Sequence, residues 1–466
     1  MATLTSLTDI ATSALAADQY ALNTTANNVA NQNTPGYTRE VVSWQAGDTV
    51  NVGGQAEAQP PTVSETSQRD RVLEQRVQQQ TQDTSASGAR SSVLTSIEGI
   101  FSLSSSSTSS ADTPIGTALN FFFSSLTALS TNPADASTRQ GVLSAAGNLA
   151  SAFNSASSQL SSISSSIGSE LTSSTSEVNS LTKTIASLNA QIASQSPNSD
   201  AGTLEDQRQN AIAQLSGLIG LDQITTENNG ITLTTTSGAV LVTGSTSSNI
   251  SVSNTGSGFQ VTDATGNNVS AGLQGGSIGG LLTAQSTDLP AAANALDQLA
   301  YTLGSAINAQ NEAGNASDGT PGQAIFSLPT TATGAAGAIS VIPTSVTAIA
   351  TAATDEGSTG NTNALALANV QNTVGGNGLT FAGTYAALIG QVGNSASSVN
   401  AENTGQQATL TTLTSQRDSL SAVSLDEEAS NLTVYQRSYQ AAAKIFSVAD
   451  SLAVSALNLG EQTTVS

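Results

Sequence analysis

The chain has 466 residues, a formal net charge of −22, only 11 Lys plus Arg, and no Cys or His. The sparse cations leave no basic stripe for a phosphate backbone, so no nucleic-acid partner is expected. Thiolate and imidazole metal sites, Cys nucleophiles and Ser-His-Asp triads are excluded outright.

With 3% aromatic and 9% charged residues, the chain favours long helices with narrow apolar stripes and small β modules over thick cores. The absence of cysteine suits a chain that crosses between redox compartments. Met1 to Asp18 contains no Lys or Arg and no unbroken apolar run. It therefore reads as neither a Sec signal peptide nor a membrane anchor, and nothing later is long enough to span a bilayer.

Leu4, Leu7, Ala11, Ala14, Leu15, Leu22, Ala26 and Val29 recur at three- and four-residue steps and predict one long helix. Asn31 to Tyr37 ends it, because Thr34-Pro35-Gly36-Tyr37 is type II turn chemistry. Thr38 to Trp44 and Thr49 to Val52 read as short extended pieces around an Ala46-Gly47-Asp48 break.

Helical spacing returns from Ser67 to Leu221, for example in Val93, Leu94, Ile97, Ile100 and Phe101, and in Val178, Leu181, Ile185, Leu188 and Ile192. Ser102 to Thr113 reads as a flexible loop and Pro197 to Gly202 as a break. Beyond Asp222 the period becomes two, in Ile231 and Leu233, Val240 and Val242, Ile250 and Val252, Phe259 and Val261. Leu281 to Asn311 is again helical, and Gly314 to Gly360 reads as a Gly/Thr-rich insert with short strands.

The last segment has heptad spacing: Leu425, Leu432, Tyr439, Phe446 and Ala453 form one row, and Glu428, Tyr435, Ala442, Ala449 and Ala456 a second. Ser424 stands at the N-cap position, with Glu427 at N3. Asp426-Glu427-Glu428 could be a metal cluster, but acids are favoured in a first helical turn anyway. Gly275 to Gly280 could be a phosphate cradle, yet no Lys follows it, and a turn opening a helix is the simpler reading. No metal, cofactor or catalytic residue is expected.

Asn27-Asn28-Val29-Ala30-Asn31, followed by Thr34-Pro35-Gly36-Tyr37-Thr38-Arg39, resembles the N-terminal motif of the flagellar rod, hook and hook-associated axial proteins. Val423 to Ala429, Asn431-Leu432, Tyr435-Gln436 and Tyr439 to Ala443 resemble the matching terminal helix. Phe121-Phe122-Phe123 through Asn132-Pro133, Asp135 and Arg139, then Asp206-Gln207-Arg208 and Asn363 to Leu367, resemble the hook-associated members in particular.

The resemblance implies a mainly α fold with β inserts: paired N- and C-terminal coiled-coil helices, an elongated helical bundle, and a small β domain inserted in the bundle. On that pattern 1–45 and 423–466 form the terminal assembly region, while 46–221, 278–312 and 360–422 form the bundle. Residues 222–277 form the β domain, and 313–359 a second insert.

It also implies a non-enzymatic subunit that joins hook to filament, exported through the flagellar apparatus to the extracellular flagellum. Its partners would be identical subunits in a tube, hook protein on one side, another hook-associated protein on the filament side, and an export chaperone on the C-terminal helix. The assembly interface would comprise Leu7, Ala14, Leu15, Leu22, Asn27, Asn28, Ala30, Asn31, Thr34, Pro35, Gly36, Tyr37, Leu425, Leu432, Tyr435, Tyr439, Phe446 and Leu457. The terminal segments are expected to be mobile in solution and to pair on assembly.

A hook or distal rod protein is the alternative within the superfamily, although long helices preceding the β segment favour the hook-associated type. A secreted adhesin or a glycan hydrolase is the alternative from another class.

Overall fold

The computed structural model describes residues 2–34, 36–45, 49–52, 55–58, 62–101, 115–194, 202–225, 230–256, 258–343, 345–357, 359–375 and 378–461. Pro35, the Ala46–Asp48 break, the Ser102–Thr113 loop, Pro197 and the side chain of Leu4 lie outside them.

Helix α1 (Ala2–Asn31) follows the apolar spacing. It ends at a turn in which the Tyr37 N–H donates to the Thr34 carbonyl at 3.1 Å and Gly36 adopts φ +76°. That left-handed backbone is the one a type II turn requires. A Cβ at Gly36 would also lie 1.9 Å from the Asn210 side chain, so glycine is demanded twice.

A ribbon follows: β1 (Glu40–Gln45), β2 (Thr49–Val52), β3 (Gln55–Ala58) and β4 (Thr62–Ser67). In it β1 pairs antiparallel with β4, and β2 with β3. The bundle expected from residue 46 thus begins later, after Ser67. Gln55–Ala58 contains no β-branched or aromatic residue, and its strand is set by its partner rather than by its own pattern.

The long helices are α2 (Arg71–Phe101), α3 (Ile115–Thr131), α4 (Ala136–Ser194) and α5 (Gly202–Leu218). Asp70 caps α2, its Oδ1 accepting from the Val72 and Leu73 N–H groups at 3.0 Å each. Asp135 caps α4 in the same way; hydroxyl and backbone donors of Ser137 and Thr138 hold its carboxyl down at about 2.

Then come β5 (Leu221–Thr225), β6 (Ile231–Thr235), β7 (Val240–Thr243), β8 (Thr246–Ser247), β9 (Ser251–Asn254) and β10 (Phe259–Thr262). The remaining elements are α6 (Gly276–Thr283), α7 (Leu289–Glu312), β11 (Phe326–Ser327), α8 (Ala335–Ala338), β12 (Ser340–Val341), α9 (Thr362–Asn369), α10 (Phe381–Ser421) and α11 (Leu425–Glu461). Among the described residues no helix is long and apolar enough to cross a membrane.

Two compact units emerge. The first comprises 1–82, 177–249 and 407–466. Its sheet runs β5-β6-β7-β8, each strand antiparallel to the next. Side-chain amides fasten this sheet to helices. Gln82 of α2 exchanges two hydrogen bonds with the Leu221 backbone at 3.1 and 3.3 Å. Asn189 of α4 donates to the carbonyls of Ile231 and Gly244, both at 2.9 Å, while its own oxygen accepts from Arg208 at 2.9 Å. Burial lowers the Arg208 guanidinium to about 10.

The second unit comprises 83–176 and 250–406. Residues 222–277, expected as one β domain, therefore divide, and the β9–β10 hairpin belongs here. The Phe259 ring sits over Gly168 of α4, where a Cβ would lie only 2.0 Å from it. That aromatic contact holds the hairpin on a helix instead of extending the sheet. Gly280, in the glycine run read as a turn, brings α6 against α2: a Cβ there would lie 2.1 Å from the Ala86 carbonyl oxygen. A π-helical turn, Ala284–Asp288, joins α6 to α7 just before Pro290, whose missing N–H breaks the α-helical ladder.

The insert after α7 carries few large apolar residues and is tied down by polar side chains. Asn308 brackets Ile325 and Phe326, donating to the Phe326 carbonyl at 2.7 Å and accepting both N–H groups at 2.8 Å. Asn311 and Asp297 hold Ala350, Gly334 and Ala336 in the same manner. Arg139, fully buried, donates to the carbonyls of Pro133 and Ile349 at 2.8 and 2.6 Å and to the Thr351 hydroxyl at 2.8 Å.

Replacing Arg139 by Met leaves these buried acceptors without donors. We expect Arg139→Met to lower the unfolding free energy by about 2 to 4 kcal/mol. Urea unfolding followed by far-UV circular dichroism measures this, and an unchanged midpoint would remove Arg139 from the list of anchors.

Candidate assembly interface

The N-terminal motif is organised around Asn28, whose amide is buried and makes four hydrogen bonds. Its Nδ2 donates to the Glu40 carbonyl at 2.8 Å and to Glu428 Oε2 at 3.3 Å; its Oδ1 accepts from the Tyr37 hydroxyl at 2.9 Å and the Glu40 N–H at 3.0 Å. Both donors and both lone pairs of the amide are used. A single side chain thus joins the end of α1, the turn, the first strand and the start of α11.

Charge reinforces the junction. Arg39 reaches Glu428 at 2.7 Å and Glu427 at 2.6 Å, so the acids that opened α11 have a cation from the N-terminal motif. Glu427 therefore turns to Arg39, although α11 does begin at Leu425, as its cap position indicates. Below the turn, Asp206 of α5 accepts from the Thr38 N–H at 3.0 Å and from Arg69. Burial pushes the Asp206 carboxyl up, against those donors. Burial, then the charges of Glu40, Asp206, Glu65 and Glu428, push the Tyr37 phenol above its ordinary range. A cavity of about 340 Å³ beside the turn is lined by Thr34, Tyr37, Arg69, Asn210, Arg417 and Asp418, its arginines already paired with Asp206 and Asp418.

From this knot α11 runs back along α1, and the two helices pack together within one chain. The buried side chains of the two helices are small or polar: Ala11, Ala17, Asp18, Ala21, Thr24, Thr25 and Asn28 on α1, with Glu428, Ala442 and Ala449 on α11. Trp44 meets Tyr435 with ring centroids 5.5 Å apart.

The two heptad rows thus part company. Glu428, Ala442 and Ala449 are buried and Tyr435 half-buried, whereas Leu425, Leu432, Tyr439 and Phe446 are exposed, and Leu457 is 71% exposed. The pairing expected on assembly already exists inside the chain, made by the small-residue row, because two alanine-lined faces let backbones approach closely.

On α1, Asn28 is buried, Ala14, Leu15, Leu22 and Asn31 are half-buried, and Leu7, Asn27 and Ala30 are exposed. Tyr37 is half-buried, Thr34 and Gly36 are exposed, and Pro35 lies outside the described residues. The structure therefore gathers Asn28, Tyr37 and the start of α11, and leaves the large apolar residues of α11 facing outward. Glu40, Arg39, Arg69, Asp206 and Trp44 complete the knot and were not among the expected site residues. Their signal was available: in a chain with so few charges, an arginine directly after a turn implies an acid elsewhere to receive it.

A family model described as the flagellar hook-associated protein FlgK helical domain matches residues 102–326. Models for the flagellar basal body rod FlgEFG protein C-terminal region and for the flagella basal body rod protein match 414–459 and 9–38, the two helices that meet at the knot. These matches define a structural protein of the flagellar axis. Flagellar hook-associated protein 1 of Salmonella typhimurium is 28% identical over 98% of this chain and 100% of its own length. That of Bacillus subtilis is 29% identical over 96% of each. The chain is thus similar over nearly its whole length to flagellar hook-associated protein 1. The solved flagellar hook junction protein FlgK from Burkholderia pseudomallei has the same fold, with a TM-score of 0.67 at 19% identity, covering 75% of this chain and 100% of that one.

Asn28→Asp would place a carboxylate where an N–H now meets Glu428. Amide hydrogen exchange across α1 and the first turns of α11 should accelerate at least about tenfold, while α4 stays protected. Uniform protection would mean that the knot does not hold the terminal helices.

The raised Tyr37 phenol favours the folded state as a neutral group. Its contribution is complete below the unfolded tyrosine value of roughly 10 and is lost as pH rises above it. Tyr37→Phe should flatten the alkaline limb of the stability profile above about pH 10. Chemical denaturation at stepped pH measures it, and an unaltered limb would count against this burial.

Proposed function

We infer that this chain is a structural subunit of the bacterial flagellum at the junction between hook and filament, and that it assembles through its terminal helices. The observation that carries this reading is the outward row of α11. Leu432, Tyr439 and Phe446 are exposed at heptad spacing, while the helix is held in place by the small-residue row and the Asn28 knot. A helix fixed by its small face, with a row of large apolar residues left partly in water, offers a surface for further neighbours.

Those neighbours are identical subunits in a tubular array, where heterologous contacts that do not close generate helical order. Leu7, Ala14, Leu15, Leu22, Asn27, Ala30 and Leu457 belong to the same contact region. Hook protein would meet one axial face and another hook-associated protein the other. We assign the protein no catalytic step. It would leave the cell through the flagellar export apparatus, and before export a chaperone would cover Leu425 to Leu459, the same apolar row.

The test is a triple variant, Leu432→Ser, Tyr439→Ser and Phe446→Ser, expressed in place of the wild-type chain. These side chains are 36 to 39% exposed, so the monomer should stay folded and lose no more than about 2 to 3 kcal/mol of unfolding free energy, which urea unfolding measures alongside. The chain recovered with sheared hook and filament should fall at least about tenfold. Undiminished incorporation would overturn the assignment of this row to assembly, and absence of the wild-type chain from that fraction would overturn the function.

A further inference from the structure

Helix α11 has two cations, Arg437 and Lys444, and neither has a local reason to be where it is. Both are exposed, mid-helix and far from the C-terminal turn that would favour a cation. The positions three and four residues to either side hold Thr433, Val434, Gln440 and Ala441 for Arg437, and Gln440, Ala441, Ser447 and Val448 for Lys444. No acid stands at the spacing where an intrahelical pair forms. Among the described residues neither cation makes an ion pair, although Arg39, Arg69, Arg90 and Arg417 do, and Arg139 and Arg208 are fully buried in hydrogen bonds.

Helix geometry places them on one line. At about 100° per residue, Asp426, Arg437 and Lys444 fall within roughly 20° of one another, on the side of α11 opposite the row that packs on α1. Asp426 is exposed and makes no ion pair among the described residues, in contrast to Glu427 and Glu428, which Arg39 takes. Between and beyond the cations the same face carries Ala441 and Val448, exposed as well. The outer face of α11 is thus a narrow strip with a negative head and a positive middle, separated by about 16 and 27 Å at 1.5 Å per residue.

Resting on the assembly function inferred above, we propose that this strip is a self-complementary contact between copies. Asp426 of one subunit meets Arg437 or Lys444 of the next, with the two α11 helices parallel and offset by about 16 to 27 Å. Copies that each carry −22 repel one another in general, so a local pairing of opposite sign fixes which surfaces approach and at what stagger. The head-to-middle arrangement is heterologous, since the acid of each copy uses the cation of the following one and leaves its own cation for the preceding one. That arrangement extends along an array without closing on a pair.

The test reverses the charges in steps in the full chain expressed in place of wild type, reading chain in the sheared hook-filament fraction against chain released to the medium. Asp426→Lys alone, and Arg437→Glu with Lys444→Glu, make the strip single-signed. Each should lower the incorporated share about tenfold while release to the medium continues. The combination of all three reversals restores complementarity and should recover incorporation to within about twofold of wild type. Partial variants that incorporate like wild type, or a triple variant no better than the partial ones, would overturn the pairing. Absence of wild type from the same fraction would instead overturn the assembly function itself.

Discussion

A buried side-chain amide with every donor and acceptor used is the constraint on which the terminal region depends. Asn28 can satisfy its oxygen only if Tyr37 and the Glu40 N–H come to it, and its nitrogen only if the Glu40 carbonyl and Glu428 do. The turn between α1 and β1 must therefore close as it does, which requires the left-handed Gly36 packed on Asn210. Once the chain has turned, Arg39 stands beside the first turn of α11 and pairs with Glu427 and Glu428. Leaving any partner unmade would strand a polar group away from water, so the knot forms as a whole or not at all.

What the knot positions is a helix pair with an inverted division of labour. In an ordinary two-helix seam the large apolar residues interlock and the small ones face water. Here Ala11, Ala17, Ala21, Thr24, Thr25, Glu428, Ala442 and Ala449 are buried, and Leu425, Leu432, Tyr439 and Phe446 are exposed. Alanine faces bury little area, so this pair gains far less from the hydrophobic effect than a leucine seam would. The large side chains stay available, and the polar knot supplies the orientation that packing would otherwise have set.

Much of this was legible in the sequence, for reasons tied to particular residues. The period of α1 and α11, the stop at Thr34 to Tyr37, the start of α11 at Leu425 and the succession of helices and strands follow from spacing and turn chemistry. Which heptad row faces inward did not, because periodicity identifies two apolar rows without saying which one the chain itself covers. The third strand of the ribbon lacked a pattern of its own and exists through pairing. The division of 222–277 goes with long-range contacts of the β9–β10 hairpin, Phe259 on Gly168 and Gln285 donating to the Phe259 carbonyl, that no local pattern announces.

The segments that carry the family resemblance share a physical role. Arg139, Asp206, Arg208, Asn363 and Asn28 are all buried polar residues whose hydrogen bonds reach backbone groups and amide side chains of other elements. A chain rich in Ser, Thr, Ala and Gly has few large apolar residues with which to fix its inserts, and Ile325, Phe326, Ile339 and Ile349 supply only part of the hold. A buried amide or guanidinium that reaches several backbone groups supplies geometry where packing cannot, and its loss leaves those groups desolvated and unpaired. Such residues tolerate no smaller or apolar replacement, while the Ser and Thr around them can exchange with little consequence. Two chains of this kind can therefore diverge over most of their length and keep the same fold, provided that the few polar anchors and the glycines beside them persist.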